Sequence, residues 1–385
     1  MTAKDKKFVI GLTGNIATGK SVVRKMLEHL GAYGIDADAL SHRVIEKGAP
    51  GYQPVVDHFG KFILDADENI DREKLGTLVF SDPLALNKLE EIIHPNVRLA
   101  VAHLIKQSSH NVVVVEAIKL LESTLRSKVD TVWVTTSTEE SQLTRLAETR
   151  GMSESEAHKR MAAQSPQKEK TAAASIVIDN NHSIEDTWNQ VQDAWRYLFP
   201  DDDVEQTMVM PQADGQEVDL AGAALEVTRA RPQQAEDIAN FINRLSNGKT
   251  SLTKMDVMTA FGEKAFMLLS AENQMLGVVG WQVENLVARI DEVYLVDSLN
   301  LGEALQALIE AIETASKHLQ AEAALVFVSP ELAQEKEIWS TLGYKSRATE
   351  ELSVNAWKEA ALETRPENTT MLFKQLRIDR VLRPI

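Results

Sequence analysis

The chain has 385 residues, a formal net charge of −16 and no cysteine, with 44% hydrophobic and 25% charged residues. This length favours two domains, and the composition is typical of folded protein rather than of disordered chain. The missing cysteines exclude disulfides, thiolate zinc sites and cysteine nucleophiles, and the acidic charge disfavours nucleic acid as a partner, because phosphate backbones are bound by clustered cations.

No apolar run approaches the ~20 residues of a membrane span. The residues before the first glycines are too few and too polar for a secretory signal. We therefore expect a cytoplasmic protein without a membrane partner.

The first half alternates short apolar runs with segments of helical spacing. Strands are predicted at 8–12, 33–36, 112–116, 129–136 and 175–179. Helices are predicted at 22–30, 38–47, 72–80, 84–106, 139–149, 154–164 and 184–197. The β-branched run 112–116 is typical of a parallel strand buried on both faces. The pattern predicts an α/β domain over residues 1–200, with a mostly parallel sheet flanked by helices.

Residues 201–224 are acidic, contain prolines and glycines and lack periodicity, so we interpret them as a linker. A second α/β pattern covers 225–385. Its predicted strands are 225–230, a hairpin of 265–270 and 276–282, 289–296, 323–328 and one in the tail 371–385. Its predicted helices are 232–245, 302–319 and 330–341.

Residues 14–21 read GNIATGKS, which matches the phosphate-binding pattern G-x-x-x-x-G-K-[ST] between a strand and a helix. Glycines allow the backbone to approach phosphates closely, so that amide N–H groups and the helix N-terminus can hold the anion. Lys20 adds a cation, and the Ser21 hydroxyl can complete a Mg²⁺ shell. The predicted ATP-binding residues of this loop are Gly14, Asn15, Ile16, Ala17, Thr18, Gly19, Lys20, Ser21 and Val22.

The phosphate-binding loop by itself does not identify the substrate. The base-reading N-K-x-D of GTPases and the L-S-G-G-Q of ABC-type ATPases are both missing from the sequence. A small-molecule kinase needs a carboxylate near the acceptor hydroxyl and arginines that close over the phosphates. Both kinds of residue are present.

Asp36 and Asp38 follow the second predicted strand, at the sheet edge where open α/β folds bind ligands. One of them can orient the acceptor and take its proton, or both can be helix caps. Arg145, Arg150 and Arg160 lie around Gly151 in a segment that suits a mobile lid, or a solvated helix face.

Six blocks of the first half resemble dephospho-CoA kinases, in the family order. The blocks are FVIGLTGNIATGKS, LGAYGIDADALSHRVIEKGAPGY, HFGKFILDADENIDREKLGTLVF, KLEEIIHPNVR, QLTRLAETRG with RMAAQSPQKEK, and ASIVIDNN. The resemblance implies transfer of the ATP γ-phosphoryl group to the ribose 3′-hydroxyl of dephospho-CoA, the last step of coenzyme A synthesis. It also implies that the cofactors are ATP and Mg²⁺.

Residue roles follow from the matching positions. The resemblance implies that Asp38 is the base and that Arg150 is the lid arginine. It also implies that Arg145 lies near the adenine or phosphates and that Asn180 lies near the adenine. At the acceptor side it implies Arg43, His94 and Arg98, with Glu116 as a retained acid.

The sequence departs from the family at three places. Val22 replaces the common second hydroxyl after the lysine, while Ser21 retains the magnesium role. Asn15 and Ala17 stand where glycine is usual, and we expect the small Ala17 to be tolerated. EAIKLLES at 116–123 replaces a frequent D-x-P-L-L-x-E-S pattern and lacks its proline, which leaves the acceptor site open to question.

Residues 225–385 resemble the GNAT acetyltransferases, whose long helix binds the acetyl-CoA pyrophosphate on backbone N–H groups. LNLGEA at 299–304 keeps Gly302 and Ala304 of the usual [QR]-x-x-G-x-[GA] pattern, but Leu299 replaces the polar residue and Glu303 adds an unfavourable charge. We therefore expect a GNAT-like module without catalysis, which can still bind CoA or acyl-CoA. The alternatives for the whole chain are a P-loop kinase for another nucleoside or small metabolite, and a bifunctional protein.

Overall fold

The computed structural model of the chain describes residues 6–200, 224–246, 248, 250–363 and 365–378. The predicted linker at 201–224 and the last residues of the tail lie outside this part, apart from residue 224. The described chain divides into two compact units. The first holds the residues up to Lys20 and Ala32–Asn181, and the second holds Ser21–Gly31 and His182–Ile378.

The first unit contains the parallel sheet that the sequence predicts. All strand pairs in it are parallel, and the spatial order is β2-β3-β1-β4-β5. The predicted β-branched strand lies inside this sheet, between two neighbours, with every residue buried. The strands are β1 Phe8–Thr13, β2 Tyr33–Asp36, β3 Val112–Glu116, β4 Thr131–Thr136 and β5 Ile176–Asp179.

Helices follow or precede every strand of this sheet, which confirms the α/β class. The helices up to residue 200 are α1 Lys20–His29, α2 Ala37–Arg43, α3 Tyr52–Phe59, α4 Arg72–Ser81, α5 Pro83–Gln107, α6 Glu139–Arg150, α7 Glu154–Ala162, α8 Gln167–Ala172 and α9 Ile184–Leu198. Short 3₁₀ turns lie at Lys61–Ile63 and Thr124–Lys128. The sequence patterns missed α3 and α8.

Helix α2 is shorter than the predicted 38–47. It ends at Arg43, because the carbonyl group of Val44 accepts a hydrogen bond of 2.9 Å from the Gly51 N–H. A Cβ atom on Gly51 would lie 2.7 Å from that carbonyl oxygen. The chain therefore leaves the helix early and packs the glycine turn against it.

The second unit contains a seven-stranded mixed sheet in the order β11-β12-β10-β9-β8-β7-β6. Its β9 and β10 run parallel, and its other neighbours run antiparallel. The strands are β6 Glu226–Arg229, β7 Ala265–Ala271, β8 Gln274–Glu284, β9 Val287–Leu295, β10 Ala323–Val328, β11 Lys345–Ser346 and β12 Thr370–Gln375. The predicted hairpin corresponds to β7 and β8.

The second unit has six α-helices after residue 224 in the described ranges, and all of them except Pro330–Ala333 have buried side chains. They are α10 Ala235–Leu245, α11 Lys254–Phe261, α12 Leu301–His318, α13 Pro330–Ala333, α14 Lys336–Thr341 and α15 Asn355–Leu362, with 3₁₀ turns at Pro232–Gln234 and Thr349–Glu351. Leu305, Leu308 and Ile312 of α12 pack with Trp281 of β8 in one apolar core.

The predicted helix 330–341 is two short helices rather than one. The indole Nε1–H of Trp339 donates a hydrogen bond of 2.8 Å to the carbonyl group of Leu332, where the first of them ends. None of the helices in the described ranges is both long and apolar enough to cross a membrane.

Candidate active site

The phosphate loop joins β1 to α1 in a strained backbone conformation. Gly14 and Gly19 have φ angles of +154° and +89°, and Ala17 has a φ of +59°. A Cβ atom on Gly14 would lie 2.4 Å from Thr135 Oγ1. Within the loop, the Thr18 hydroxyl donates a hydrogen bond of 2.8 Å to the Asn15 carbonyl group, and Lys20 Nζ donates one of 3.1 Å to the same oxygen. The glycines of the motif are therefore required by backbone angle and by close packing.

Arg145 supports this loop from the first turns of α6. Its guanidinium group donates to the carbonyl groups of Ala17 at 3.1 Å and Asn180 at 2.6 Å, and to the Ser137 hydroxyl at 3.0 Å. The side-chain amide of Asn180 donates a hydrogen bond of 3.1 Å to the carbonyl group of Thr18. Arg145 and Asn180 thus hold the shape of the loop through its backbone.

Two glutamines that the sequence analysis gave no role also contact the loop. Gln164 Oε1 accepts a hydrogen bond of 2.8 Å from the Ile16 N–H, and Gln167 Oε1 accepts one of 3.1 Å from the Asn15 N–H. The Gln167 amide group donates in turn to the Thr135 carbonyl group at 2.9 Å. A glutamine side chain both donates and accepts, so Gln167 bridges the loop to β4. The Asn15 and Ile16 amides therefore donate to side-chain oxygens of the protein.

Lys20 and Asp38 lie within electrostatic reach of each other at the carboxyl edge of the sheet. Burial lowers the pKa of Lys20, while the negative charges of Glu116, Asp38 and Asp36 raise it. Partial desolvation by the surrounding protein raises the pKa of Asp38, while the Ile118 N–H and Lys20 lower it. The sequence-predicted cation and carboxylate therefore face a common site.

The two aspartates have different structural roles. Asp36 Oδ1 caps α2 by accepting a hydrogen bond of 2.8 Å from the Ala39 N–H. Asp38 Oδ2 instead accepts one of 3.0 Å from the Ile118 N–H, and its side chain remains exposed to solvent. Of the two readings left open by the sequence, capping applies to Asp36, and Asp38 is the carboxylate that faces the site.

Lys170 is a second cation of this site that the sequence patterns missed. Its residue is only 1% exposed, and its ammonium group donates a hydrogen bond of 2.9 Å to the Ile118 carbonyl group. Burial lowers the pKa of Lys170, which the charges of Glu122 and Asp38 oppose. The backbone of Ile118 is thus held by Asp38 through its N–H and by Lys170 through its carbonyl group.

The remaining predicted residues lie at different distances from this cluster. Arg150 ends α6 and is exposed, and its charge lowers the pKa of Lys20, so it lies near the loop. Arg43 is buried and pairs with Glu46 at 3.4 Å. His94 and Arg98 lie one turn apart on α5. His94 is exposed, and Arg98 donates a hydrogen bond of 3.3 Å to the Thr124 hydroxyl.

Three further residues of the predicted loop and lid lie at or near the protein surface. The Ser21 side chain is exposed in the first turn of α1, next to Lys20 in the chain, and Val22 is half-buried. Arg160 forms an exposed ion pair of 2.7 Å with Glu156 one helical turn away, which is the solvated helix face considered above.

The long helix of the second unit caps its own N-terminus. Asn300 Oδ1 accepts hydrogen bonds of 3.1 Å from the Gly302 N–H and 3.4 Å from the Glu303 N–H. These first-turn amides are the donors that a pyrophosphate would need at a helix N-terminus. The Asn300 cap and the Glu303 carboxylate therefore both disfavour an anion at this position.

Comparison with known proteins separates the two halves of the chain. The family model described as dephospho-CoA kinase matches residues 8–186. A dephospho-CoA kinase of Geobacter sulfurreducens is 42% identical over 196 residues, which cover 50% of this chain and 99% of the relative. One of Geobacter metallireducens is 44% identical over 192 residues, with 49% and 96% covered.

For the second half, a GNAT-family acetyltransferase of Staphylococcus aureus aligns with 40% of this chain and 100% of its own, at 11% identity and a TM-score of 0.32. These values are too low to establish a common fold. The matches to the first half, in contrast, extend over nearly the full length of each relative. On that evidence the chain belongs to the dephospho-CoA kinase family.

Proposed function

We propose that this kinase transfers the γ-phosphoryl group of ATP to the ribose 3′-hydroxyl of dephospho-CoA, with Asp38 as the base. The observation that carries the proposal is the position of Asp38, exposed and held by the Ile118 N–H, within the electrostatic field of Lys20. A carboxylate in this position can accept the proton of an acceptor hydroxyl while Lys20 binds the phosphate that is transferred.

The phosphate loop has the features needed for a triphosphate. Its backbone amides and the N-terminus of α1 supply donors and positive potential, and Lys20 is buried beside them. Ser21 is the residue that would hold Mg²⁺, which supplies charge neutralisation on the phosphates when it is bound. The charge of Arg150 lowers the pKa of Lys20, which supports a role for Arg150 in stabilising the charge on the transferred group.

At the acceptor side we propose Glu116 and Lys170 in addition to Asp38. Glu116 ends β3, in register with Leu12 of β1 and Asp36 of β2, so that the tips of three strands meet at this edge. Arg43, His94 and Arg98 remain candidates for binding the rest of dephospho-CoA, and their position on α2 and α5 is compatible with a more distant part of a long substrate.

The test is an assay of the purified chain with ATP, Mg²⁺ and dephospho-CoA. We expect ADP and coenzyme A as products, identified by mass spectrometry. A 3′-deoxy analogue of dephospho-CoA should give no product, because it lacks the acceptor oxygen. Adenosine and pantetheine serve as competing acceptors. Turnover with one of these and none with dephospho-CoA would transfer the assignment to a kinase of another small metabolite.

We further propose that residues 225–385 form a GNAT-like module without acyl-transfer activity, joined to a kinase domain of residues 1–200 by the linker 201–224. The order of β6 to β12 with the long helix α12, and the parallel pair of β9 and β10, support the proposal. The Asn300 cap argues against acyl-CoA at the N-terminus of α12. Limited proteolysis should cut first within 201–224, and incubation with acetyl-CoA should release no free CoA.

A further inference from the structure

Helix α1 begins at the phosphate-loop lysine and is held in its middle by a carboxylate that is distant in sequence. Glu284, at the end of β8, accepts hydrogen bonds from the Arg24 guanidinium group at 3.2 and 3.3 Å. Lys25 Nζ lies 2.9 Å from the same carboxylate and donates a weaker bond of 3.4 Å to the Val283 carbonyl group. Two consecutive cations of α1 therefore converge on one acid.

The cluster is mostly buried. Glu28 of α1 also contacts both cations, at 2.7 Å from Arg24 and 3.2 Å from Lys25. The side chains of Arg24, Lys25 and Glu28 are 4%, 6% and 8% exposed, and that of Glu284 is 32% exposed. Among these four side chains there are two positive and two negative charges, and the Arg229 guanidinium group adds a positive charge that interacts with Glu28. Without Glu284, two buried cations would share a single acid, and an uncompensated buried charge is strongly unfavourable.

The electrostatics of Glu284 agree with this geometry. Burial by itself would raise the pKa of Glu284, but the adjacent charges of Arg24 and Lys25 lower it to about 2. Glu284 is therefore ionised at any pH at which the enzyme would be assayed.

A second contact holds the end of α1 in the same unit. His29 Nε2 lies 2.8 Å from the Phe261 carbonyl oxygen, and the two rings meet edge to face at 5.2 Å. The Arg229 guanidinium group lies 3.4 Å from His29 Nδ1. With the Glu284 cluster in its middle and this contact at its end, α1 is fixed along its length. At 1.5 Å per residue, Lys20 lies only about 7.5 Å along the helix from Lys25.

We propose that Glu284 is a positioning residue for phosphoryl transfer. By pairing with Arg24 and Lys25, it fixes helix α1, which carries Lys20 and the first-turn amides that follow the phosphate loop. The inference rests on the proposed kinase reaction, because it assigns the nucleotide to that loop. It gives the second half of the chain a direct role in nucleotide binding, without a ligand or a reaction of its own.

The experiment compares Glu284→Gln with a control and a rescue variant in the full chain. Glu263→Gln removes an exposed acid elsewhere in the same unit and is the control. Glu284→Gln combined with Lys25→Met keeps the net charge of the wild-type cluster and is the rescue for stability. For each protein we would measure ATP affinity by calorimetry, the KM values for ATP and dephospho-CoA, kcat and thermal stability.

We expect Glu284→Gln to weaken ATP binding and to raise the KM for ATP by roughly 5-fold or more, with the KM for dephospho-CoA unchanged. The rescue variant should recover thermal stability but not ATP affinity, because it lacks the pairing carboxylate, and the control should equal the wild type. A folded Glu284→Gln protein with wild-type ATP affinity would refute the inference. Equal losses for both substrates would also refute it, because they would indicate general destabilisation rather than positioning.

Three further outcomes remain decisive. If Glu284→Gln does not fold, the rescue variant is measured instead, and recovered folding with wild-type ATP affinity counts against the role of Glu284. If the wild type binds ATP but does not phosphorylate dephospho-CoA, the acceptor assignment fails while the binding comparison still tests Glu284. If the wild type does not bind ATP, the proposed function and this inference both fall.

Discussion

Asn180 lies directly against Gly19, so closely that a Cβ atom on Gly19 would fall 1.8 Å from Asn180 Nδ2. The same amide group holds the Thr18 carbonyl group. The glycine at this position of the phosphate loop is therefore required by the side chain packed on it as well as by its φ of +89°.

Gly19→Ala should accordingly displace Asn180 and distort the loop. We expect ATP affinity to fall at least ~10-fold and the free energy of unfolding to fall by about 1–3 kcal/mol, measured by calorimetry and chemical denaturation. Gly31→Ala is the matched control, because Gly31 has a φ of +105° with no atom within 4 Å of an added Cβ. A Gly19→Ala protein no worse than the control would contradict the role of Asn180.

Ala17→Gly should raise the free energy of unfolding, whereas Gly19→Ala should lower it. Ala17 is held at a φ of +59°, a left-handed conformation that costs an L-residue about 1–2 kcal/mol and glycine almost nothing. After subtraction of the lost methyl packing against Ile16, we expect a gain in unfolding free energy of up to about 1 kcal/mol, with kcat unchanged. Denaturation curves would measure it, and a clear loss of stability would show that the methyl packing outweighs the backbone strain.

The proposed chemistry predicts that Lys20→Ala and Asp38→Asn each lower kcat/KM by at least ~100-fold, because each removes a positioned charge. Asp36→Asn is the internal control. Asparagine caps a helix as well as aspartate does, so this variant should keep turnover within a few-fold of the wild type. A steady-state assay with dephospho-CoA would measure all three. Near-normal rates for Asp38→Asn would remove that residue from the mechanism.

Lys170→Met should change the pH dependence of turnover. Lys170 lowers the pKa of Asp38, so its removal raises that pKa, and Asp38 then becomes protonated at a higher pH. The acid limb of the profile of kcat/KM against pH should move to higher pH, and turnover at neutral pH should also fall. Lys168→Met, an exposed neighbour, serves as the control. An acid limb in the same place in both variants would show that Lys170 does not act on the base.

His29 should make folding sensitive to acid. Burial, with the charge of Arg229, lowers the pKa of His29 to about 3, while the unfolded ring has a pKa of about 6.5. Between these values the unfolded chain binds the proton and the folded chain does not, so stability is lost as pH falls from 6.5 toward 3. The slope from this one group is at most about 1.4 kcal/mol per pH unit.

His29→Asn should remove that part of the slope, because asparagine does not titrate in this range. Unfolding free energies of both proteins at pH 7 and pH 5 would measure the difference. The wild type should lose more stability than the variant between the two values. Parallel losses would assign the acid sensitivity to another group, such as His42, whose pKa burial also lowers, to about 4.

Local sequence patterns were sufficient where one element determines its own conformation. The run Val112–Glu116 and the GNIATGKS loop were both placed correctly, because β-branched content and glycine spacing act within a few residues. The predicted neighbourhood of Lys20 and Asp38 followed from the rule that parallel strands present their carboxyl ends at one edge.

The sequence patterns failed where the burial or conformation of a residue depends on a partner that is distant in sequence. Lys170 looks like a surface residue in QKEK, and its burial depends on the Ile118 carbonyl group, 52 residues away. Gln164 and Gln167 bind the loop across about 150 residues. The break inside 330–341 follows from the Trp339 indole rather than from a proline or glycine there. None of these contacts has a signature in the local sequence.

Ile118 stands where the frequent pattern D-x-P-L-L-x-E-S has its proline, and its N–H is the group that holds Asp38. A proline nitrogen has no hydrogen to donate. Replacement of Ile118 by proline would therefore remove this backbone donor, and the negative charge of Asp38 would be stabilised less. The ionisation of the proposed base thus depends in part on a single main-chain hydrogen.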